Sequence, residues 1–405
     1  MRPVPNCCFS PGGVMRTSPR SFLSALAAMV LALCSCSYFE PSPPPNSFGT
    51  APPPTKSIEN TMRNFVDQGA VAVVAEVRWP GETWSRAYGV RNLESNDAAT
   101  PEDRVFVASV TKSMTAVSVM KLVEDGLIGL DDPVNGVLDS FTTALKPPGP
   151  ITVRQLLGHT SGMRPFQEVT EKTADDVPRV INENISPQRG LELTGQLPWD
   201  ARDVGFFRYS DSNYLALGQL VEKLRGRPFA DVLREDIIAP LGLENTSVDR
   251  TAGGEPDVIR GYINHRGERL DITDAPGVVG SPAYGAISTV SDINDFFAAL
   301  FRGDLLARES VQEMTRTDAI PLYGLGVWKW NQDCNGDHRF GGLGGFWTYR
   351  TAAVASTDGQ YQATMTLVPP PLPTPLEDPE AGDRINFWDD QMASALQETL
   401  DRLCP

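Results

Sequence analysis

The feature that most constrains this chain is where its strand-like segments fall. Ala70–Trp79 and Thr83–Val90 alternate or run apolar around Pro80-Gly81. The next comparable runs are Val327–Trp330, Phe346–Ala355 and Gln360–Val368, far along the chain. Between them, about residues 130–250 offer short helices and loops, with no internal repeat. One sheet assembled from both chain ends, with a helical insertion, forms a cleft at the seam, where sites tend to lie. Helices are expected at Ser57–Gln68, Ser109–Leu127, Ile287–Leu300 (entered through Ser288-Thr289) and Phe387–Leu403.

Composition supports an ordinary globular domain, with 41% apolar and 21% charged residues in 405. The net charge of −16 repels phosphate backbones, so nucleic acid is not expected as a partner. The three histidines, His159, His265 and His338, are scattered without ligand spacing, and neither a metal nor a cofactor is expected.

The N-terminus reads as a targeting segment. Arg16 and Arg20 precede the apolar run Phe22–Leu33, which is short of the roughly 20 residues that span a bilayer as a helix. Residues 1–14 add nothing a signal peptide needs, which points to Met15 as the start. Leu33-Cys34-Ser35-Cys36 resembles a bacterial lipobox, and Cys36, after a small residue, is the expected lipidated cysteine. The prolines at 41, 43–45 and 52–54 suit an extended tether between lipid and domain. The expected organisation is therefore residues 1–36 signal and lipobox, 37–56 tether and 57–405 hydrolase domain. That places the protein outside the cytosol, anchored to the cell envelope by lipid. Cys334 and Cys404 then remain, and outside the cytosol two such cysteines commonly pair.

Candidate chemistry starts at Ser109-Val110-Thr111-Lys112, where an amine three residues after a hydroxyl shares its helix face. Such an amine takes the hydroxyl proton when neutral, or holds charge for another base. Ser118-Val119-Met120-Lys121 fits the same pattern nine residues on, on the opposite face. Ser118 sits mid-helix without free N–H groups, whereas Ser109 sits at the helix entrance, so Ser109 is preferred. Tyr209-Ser210-Asp211-Ser212-Asn213-Tyr214 brings a phenol, a carboxylate and an amide into one turn. His338-Arg339-Phe340-Gly341-Gly342-Leu343-Gly344-Gly345-Phe346 offers close backbone approach and N–H groups beside a cation. Alone it would read equally as a glycine-rich turn.

Together these segments resemble the family of class C β-lactamases, D-alanyl-D-alanine carboxypeptidases and related esterases, over roughly residues 60–400. Gly129-Leu130-Asp131-Asp132-Pro133-Val134, Leu156-Leu157-Gly158-His159-Thr160-Ser161-Gly162-Met163, Pro240-Leu241-Gly242-Leu243 and Ser288-Thr289-Val290-Ser291-Asp292 carry the resemblance in order. It implies an α+β fold, with an antiparallel β-sheet flanked by helices plus an all-helical lobe. It further implies an acyl-enzyme at Ser109, with Lys112 and Tyr209 sharing acid–base duty. Ser109 N–H and Gly342 N–H would form the oxyanion hole, with Asp211, Arg339 and Gly341 meeting substrate. His159 and Ser161 are expected to brace the fold. Two departures stand out. Asp211 replaces the usual asparagine, and an anion there would raise the lysine pKa or itself accept the proton. Arg339 stands where lysine or histidine is usual, able to grip a carboxylate but not to shuttle protons. Tyr262-Ile263-Asn264 and His265-Arg266-Gly267 also match the pattern but are contiguous, which argues against two separate cleft walls.

The expected activity is that of a serine peptidase or amidase acting on small peptide or amide substrates at the cell wall. A carboxylesterase on small acyl esters and a binding lipoprotein without turnover are the competing readings. β-Lactams are expected to acylate the enzyme and leave slowly. A monomer is expected.

Overall fold

The structure is a computed structural model that describes residues 54–404 except 184, 250–255, 276–279, 318–321 and 334. The signal segment, Cys36, Cys334 and most of the tether lie outside the described residues.

The chain ends do build one sheet. Strands β1 (Ala72–Trp79), β2 (Glu82–Gly89), β3 (Trp328–Gln332), β4 (His338–Phe346), β5 (Tyr349–Ala355) and β6 (Gln362–Val368) lie in the order β2-β1-β6-β5-β4-β3. Every pairing is antiparallel, and β1 joins β6 from Ala72↔Val368 to Arg78↔Gln362. Strand β1 alternates between two covered faces and is largely apolar on both. Val73, Ala75 and Val77 pack with Ile58, Met62 and Phe65 of α1 (Lys56–Asp67) and with Trp388, Met392 and Leu396 of the C-terminal helix. Val74 faces the larger core, where α2 (Thr111–Glu124), α3 (Asp211–Arg225) and α4 (Val290–Arg302) meet. The C-terminal helix, α5, spans Pro379–Leu403, eight residues earlier than its apolar period announces.

The helical middle is as expected: between Phe106 and Tyr262 the described residues form helices and turns and no strand. Helix α4 begins where its cap foretells, with Thr289 Oγ1 accepting from Asp292 N at 3.1 Å. Helix α2 is entered through a tight turn, Ala108–Val110, and Ala108 takes a left-handed φ of 50°. That conformation is costly for a residue with a Cβ and is held by tertiary contacts. Thr111 Oγ1 donates to Ala108 O at 2.7 Å and accepts from Ala286 N at 3.0 Å.

The glycine-rich run is the main difference from expectation. It is strand β4, paired with β5 from Phe340↔Ala355 to Phe346↔Tyr349. Its partner β3 reaches only as far as Gly341, so from Gly342 onward β4 is the free edge of the sheet. Cys404 is disulfide-bonded.

Candidate active site

The entrance to α2 meets the free edge of β4 at the mouth of a cavity. Ser109 is half-buried and lines a cavity of about 240 Å³ together with Tyr209, Gly344, Gly345 and Arg350. One turn along, Lys112 is 1% exposed and its ammonium is fully engaged. Nζ donates to Ser109 Oγ at 2.9 Å, to Asp211 Oδ1 at 2.6 Å and to Ala283 O at 2.8 Å. Burial alone would lower the pKa of this amine. The Asp211 carboxylate and the Tyr209 phenol outweigh that, and the net shift is upward. Lys112 therefore rests as a cation. By contrast Ser118 is wholly buried, which excludes it as an open nucleophile.

Tyr209 is held from below by the Leu-Leu-Gly-His-Thr-Ser-Gly-Met loop. Gly205 N donates to Thr160 O and Arg208 N to His159 O, both at 2.8 Å. The His159 ring stacks against the Tyr209 ring at 4.2 Å between centroids, and its Nδ1 accepts from Ser210 N at 3.2 Å. Burial, with Lys112 nearby, drives the His159 pKa well down, so the ring is neutral. Ser161 Oγ donates to Asn213 Oδ1 at 2.6 Å, tying the loop to α3. His159 and Ser161 thus position the phenol, whose ring centroid lies 4.9 Å from Lys112 Nζ. Asp211 opens α3, and its Oδ2 accepts from Gln167 Nε2 at 2.6 Å.

Three expected positions on β4 are corrected. Arg339 is 1% exposed and donates to Asp401 Oδ1 at 2.6 Å and Asn331 Oδ1 at 3.1 Å, beneath α5. Strand parity explains this: Arg339, Gly341 and Leu343 share the α5 face, while Phe340, Gly342 and Gly344 face α2. Gly341 lies against β5, where a Cβ would come within 2.0 Å of Ala353 O, and does not line the cavity. Gly342 has the right face but packs under the helix, where a Cβ would meet Val110 and Phe297 at 3.1 and 3.2 Å. Gly344 occupies the place by Ser109: a Cβ there would sit 2.2 Å from Val107 O and 3.2 Å from Ser109 N.

Arg350 on β5 is the residue that sequence reasoning missed. It stands opposite Gly345, lines the cavity with Ser109, and has its Nε buried without a hydrogen-bond partner among the described residues. Its Nη1 reaches Asp389 Oδ2 only at 3.7 Å. Burial lowers the Arg350 pKa and raises that of Asp389 to about 6. The available signal was a lone charged residue, Arg350, just before the apolar run Ala352–Ala355. Tyr209, Gly345 and Arg350 also belong to the wall of a second, larger cavity of about 450 Å³. Pro369, Leu372, Leu376 and Ile385 make much of it apolar. The set-aside residues Tyr262 and Ile263 line it too, with the Tyr262 hydroxyl donating to Asn92 Oδ1 at 3.1 Å.

A hydroxyl, an ammonium and a phenol at the junction of an antiparallel sheet and a helical lobe define the class of penicillin-recognising folds and their relatives. The chain belongs to the beta-lactamase family, whose sequence profile matches residues 58–369. Its sequence is 27% identical over 278 residues to PbpX of Bacillus subtilis, covering 67% of this chain and 65% of that protein. It is 26% identical over 209 residues to the teichoic acid D-alanine hydrolase of Staphylococcus aureus, covering 51% of this chain and 48% of that one. The matches thus span less than two thirds of these relatives' lengths. Among solved structures it resembles a D-stereospecific amidohydrolase from Streptomyces, with 28% identity and a TM-score of 0.66 over 78% of this chain and 94% of that one. The D-amino acid amidase of Ochrobactrum anthropi, at 22% identity and TM-score 0.70, shares the fold over 86% of this chain and 98% of that one.

Proposed function

We propose that the chain is a serine hydrolase that forms an acyl-enzyme at Ser109 and cleaves amide bonds in small peptides or amino-acid derivatives, in the manner of a D-alanyl-D-alanine carboxypeptidase. The observation that carries this reading is Lys112 Nζ, 2.9 Å from Ser109 Oγ and 2.6 Å from Asp211 Oδ1 at a cavity mouth. A resting ammonium cannot accept a proton, so Asp211 first takes one of its three hydrogens. The neutral amine then takes the Ser109 proton while Oγ attacks the substrate carbonyl. The backbone N–H groups of Ser109 and of the Gly344–Gly345 edge face the developing oxyanion. The leaving amine departs with the proton returned through Lys112, with the Tyr209 phenol at hand, and water then releases the acyl group. Arg350, rather than Arg339, is the carboxylate receptor that a carboxypeptidase needs. Similarity to an amidohydrolase and a D-alanine hydrolase supports the substrate class. The signal-like run, the lipobox at Cys36 and the proline tether support an envelope location with a lipid anchor. The disulfide at Cys404 suits that compartment.

Labelling with a fluorophosphonate and with a fluorescent penicillin tests the nucleophile. Ser118→Ala should label like the wild type and Ser109→Ala should not label. Labelling that survives Ser109→Ala removes the assignment. No labelling of the wild type by either reagent favours a binding protein without turnover.

A further inference from the structure

Glu171 is a carboxylate for which the proton relay has no use. It follows the short helix Gln167–Thr170 and lines the 450 Å³ cavity on the same side as Gln167 and Asp211. Its backbone N–H is spent on Gln167 O at 2.8 Å, but its side chain has no hydrogen-bond or ion-pair partner among the described residues. Asp211, by comparison, has Lys112 at 2.6 Å. Beside Glu171, Gln167 gives its Nε2 to Asp211 and so turns Oε1 the other way, where it is buried and without a donor. One wall therefore presents a carboxylate and an amide oxygen, both acceptors, with no hydrogen-bond donor to either among the described residues. Phe346 and Trp347 line the same stretch, bordering both this cavity and a small pocket behind Glu171. Aromatic faces beside unpaired acceptors suit a cation. Burial, with Asp211 and Asp176 nearby, pushes the Glu171 carboxyl up to about 7, as fits an anion that lacks its counter-charge.

We propose that Glu171 and Gln167 Oε1 receive a primary ammonium on the acyl part of the substrate, whose apolar side chain lies along Pro369, Leu372 and Ile385. The reading rests on Ser109 as the nucleophile, because Tyr209, Gly345 and Arg350 connect this cavity to the serine. It narrows the substrate class to amino-acyl compounds with a free amine, either the α-ammonium or a side-chain ammonium.

Protection of Ser109 from fluorophosphonate labelling tests this without requiring turnover. The protecting ligands are phenylalaninamide, N-acetylphenylalaninamide and N-acetyllysinamide, each as both enantiomers. A free-amine ligand should half-protect the wild type at a concentration about ten-fold below that of N-acetylphenylalaninamide. Preference for phenylalaninamide assigns the α-ammonium, and preference for N-acetyllysinamide the side-chain ammonium. Glu171→Gln should bring the ratio to near one. An unchanged ratio in Glu171→Gln, equal weakening of every ligand, or no preference in the wild type overturns the ammonium site. Those outcomes leave the nucleophile standing as long as wild-type Ser109 still labels; loss of wild-type labelling would instead remove the nucleophile.

Discussion

Lys112 carries the electrostatic tension of the site, because a wholly buried amine is kept charged by one carboxylate. If Asp211 is the final proton acceptor, Asp211→Asn removes both the acceptor and the main force opposing desolvation. The Lys112 pKa then falls, and the amine must lose its proton to solvent before it can serve Ser109. Acylation at pH 7 should drop about 100-fold and should then climb with pH where the wild type has levelled off. Stopped-flow measurement of acylation from pH 5 to 10 reads this, and a variant as fast as the wild type at pH 7 would refute the relay. The two arginines separate equally sharply. Arg350→Ala should raise KM about ten-fold for D-alanyl-D-alanine peptides and leave their C-terminal amides unchanged. Arg339→Ala should lower Tm without that selectivity, because its partner Asp401 belongs to the C-terminal helix. The serine, lysine, tyrosine and aspartate were legible in the sequence as local patterns with chemical meaning. Arg350 was not, because its role comes from a strand register that places it opposite Gly345.

At the scale of elements, the site depends on how closely β4 can approach the start of α2. Glycine at 344 permits that approach, since any Cβ would collide with Val107 O at 2.2 Å. Gly344→Ala should therefore force the strand away from Ser109. The expected loss of stability is about 1–3 kcal/mol by denaturant unfolding, with labelling falling much further than the folded fraction. An alanine variant that labels normally would show that strand and helix do not need this contact. Glycines have no preference for strand and no side chain to set a period, so sequence reading left this run open between a turn and backbone that approaches a ligand. Pairing with β5 decides the matter and also selects which glycines meet Ser109. Helix α4 is the opposite case, since its Thr289 cap and apolar stripe were sufficient in themselves.

The described domain is closed by its first and last elements. Strand β1 pairs with β6, and α1 packs on α5, where Trp388 meets Phe65 at 6.2 Å and donates to Gln68 Oε1 at 3.0 Å. Trp388→Ala opens a cavity across that seam and should cost about 3–5 kcal/mol. Urea unfolding followed together with Ser109 labelling checks this, and a loss below about 1 kcal/mol would mean that the ends contribute little to closure. Because the sheet also carries the β4 edge, labelling and global unfolding should be lost at the same urea concentration.

By itself the sequence pointed to a sheet built from both chain ends, to the helical insertion and to the Ser109–Lys112 pair, because apolar periodicity and i, i+3 spacing are local properties, while the class of fold followed from the family resemblance. Only the tertiary structure decided which cation, which glycines and which carboxylates face the cleft. Those choices depend on strand parity, on the register between β4 and β5, and on the burial that leaves Glu171 unpaired while Lys112 is held by Asp211.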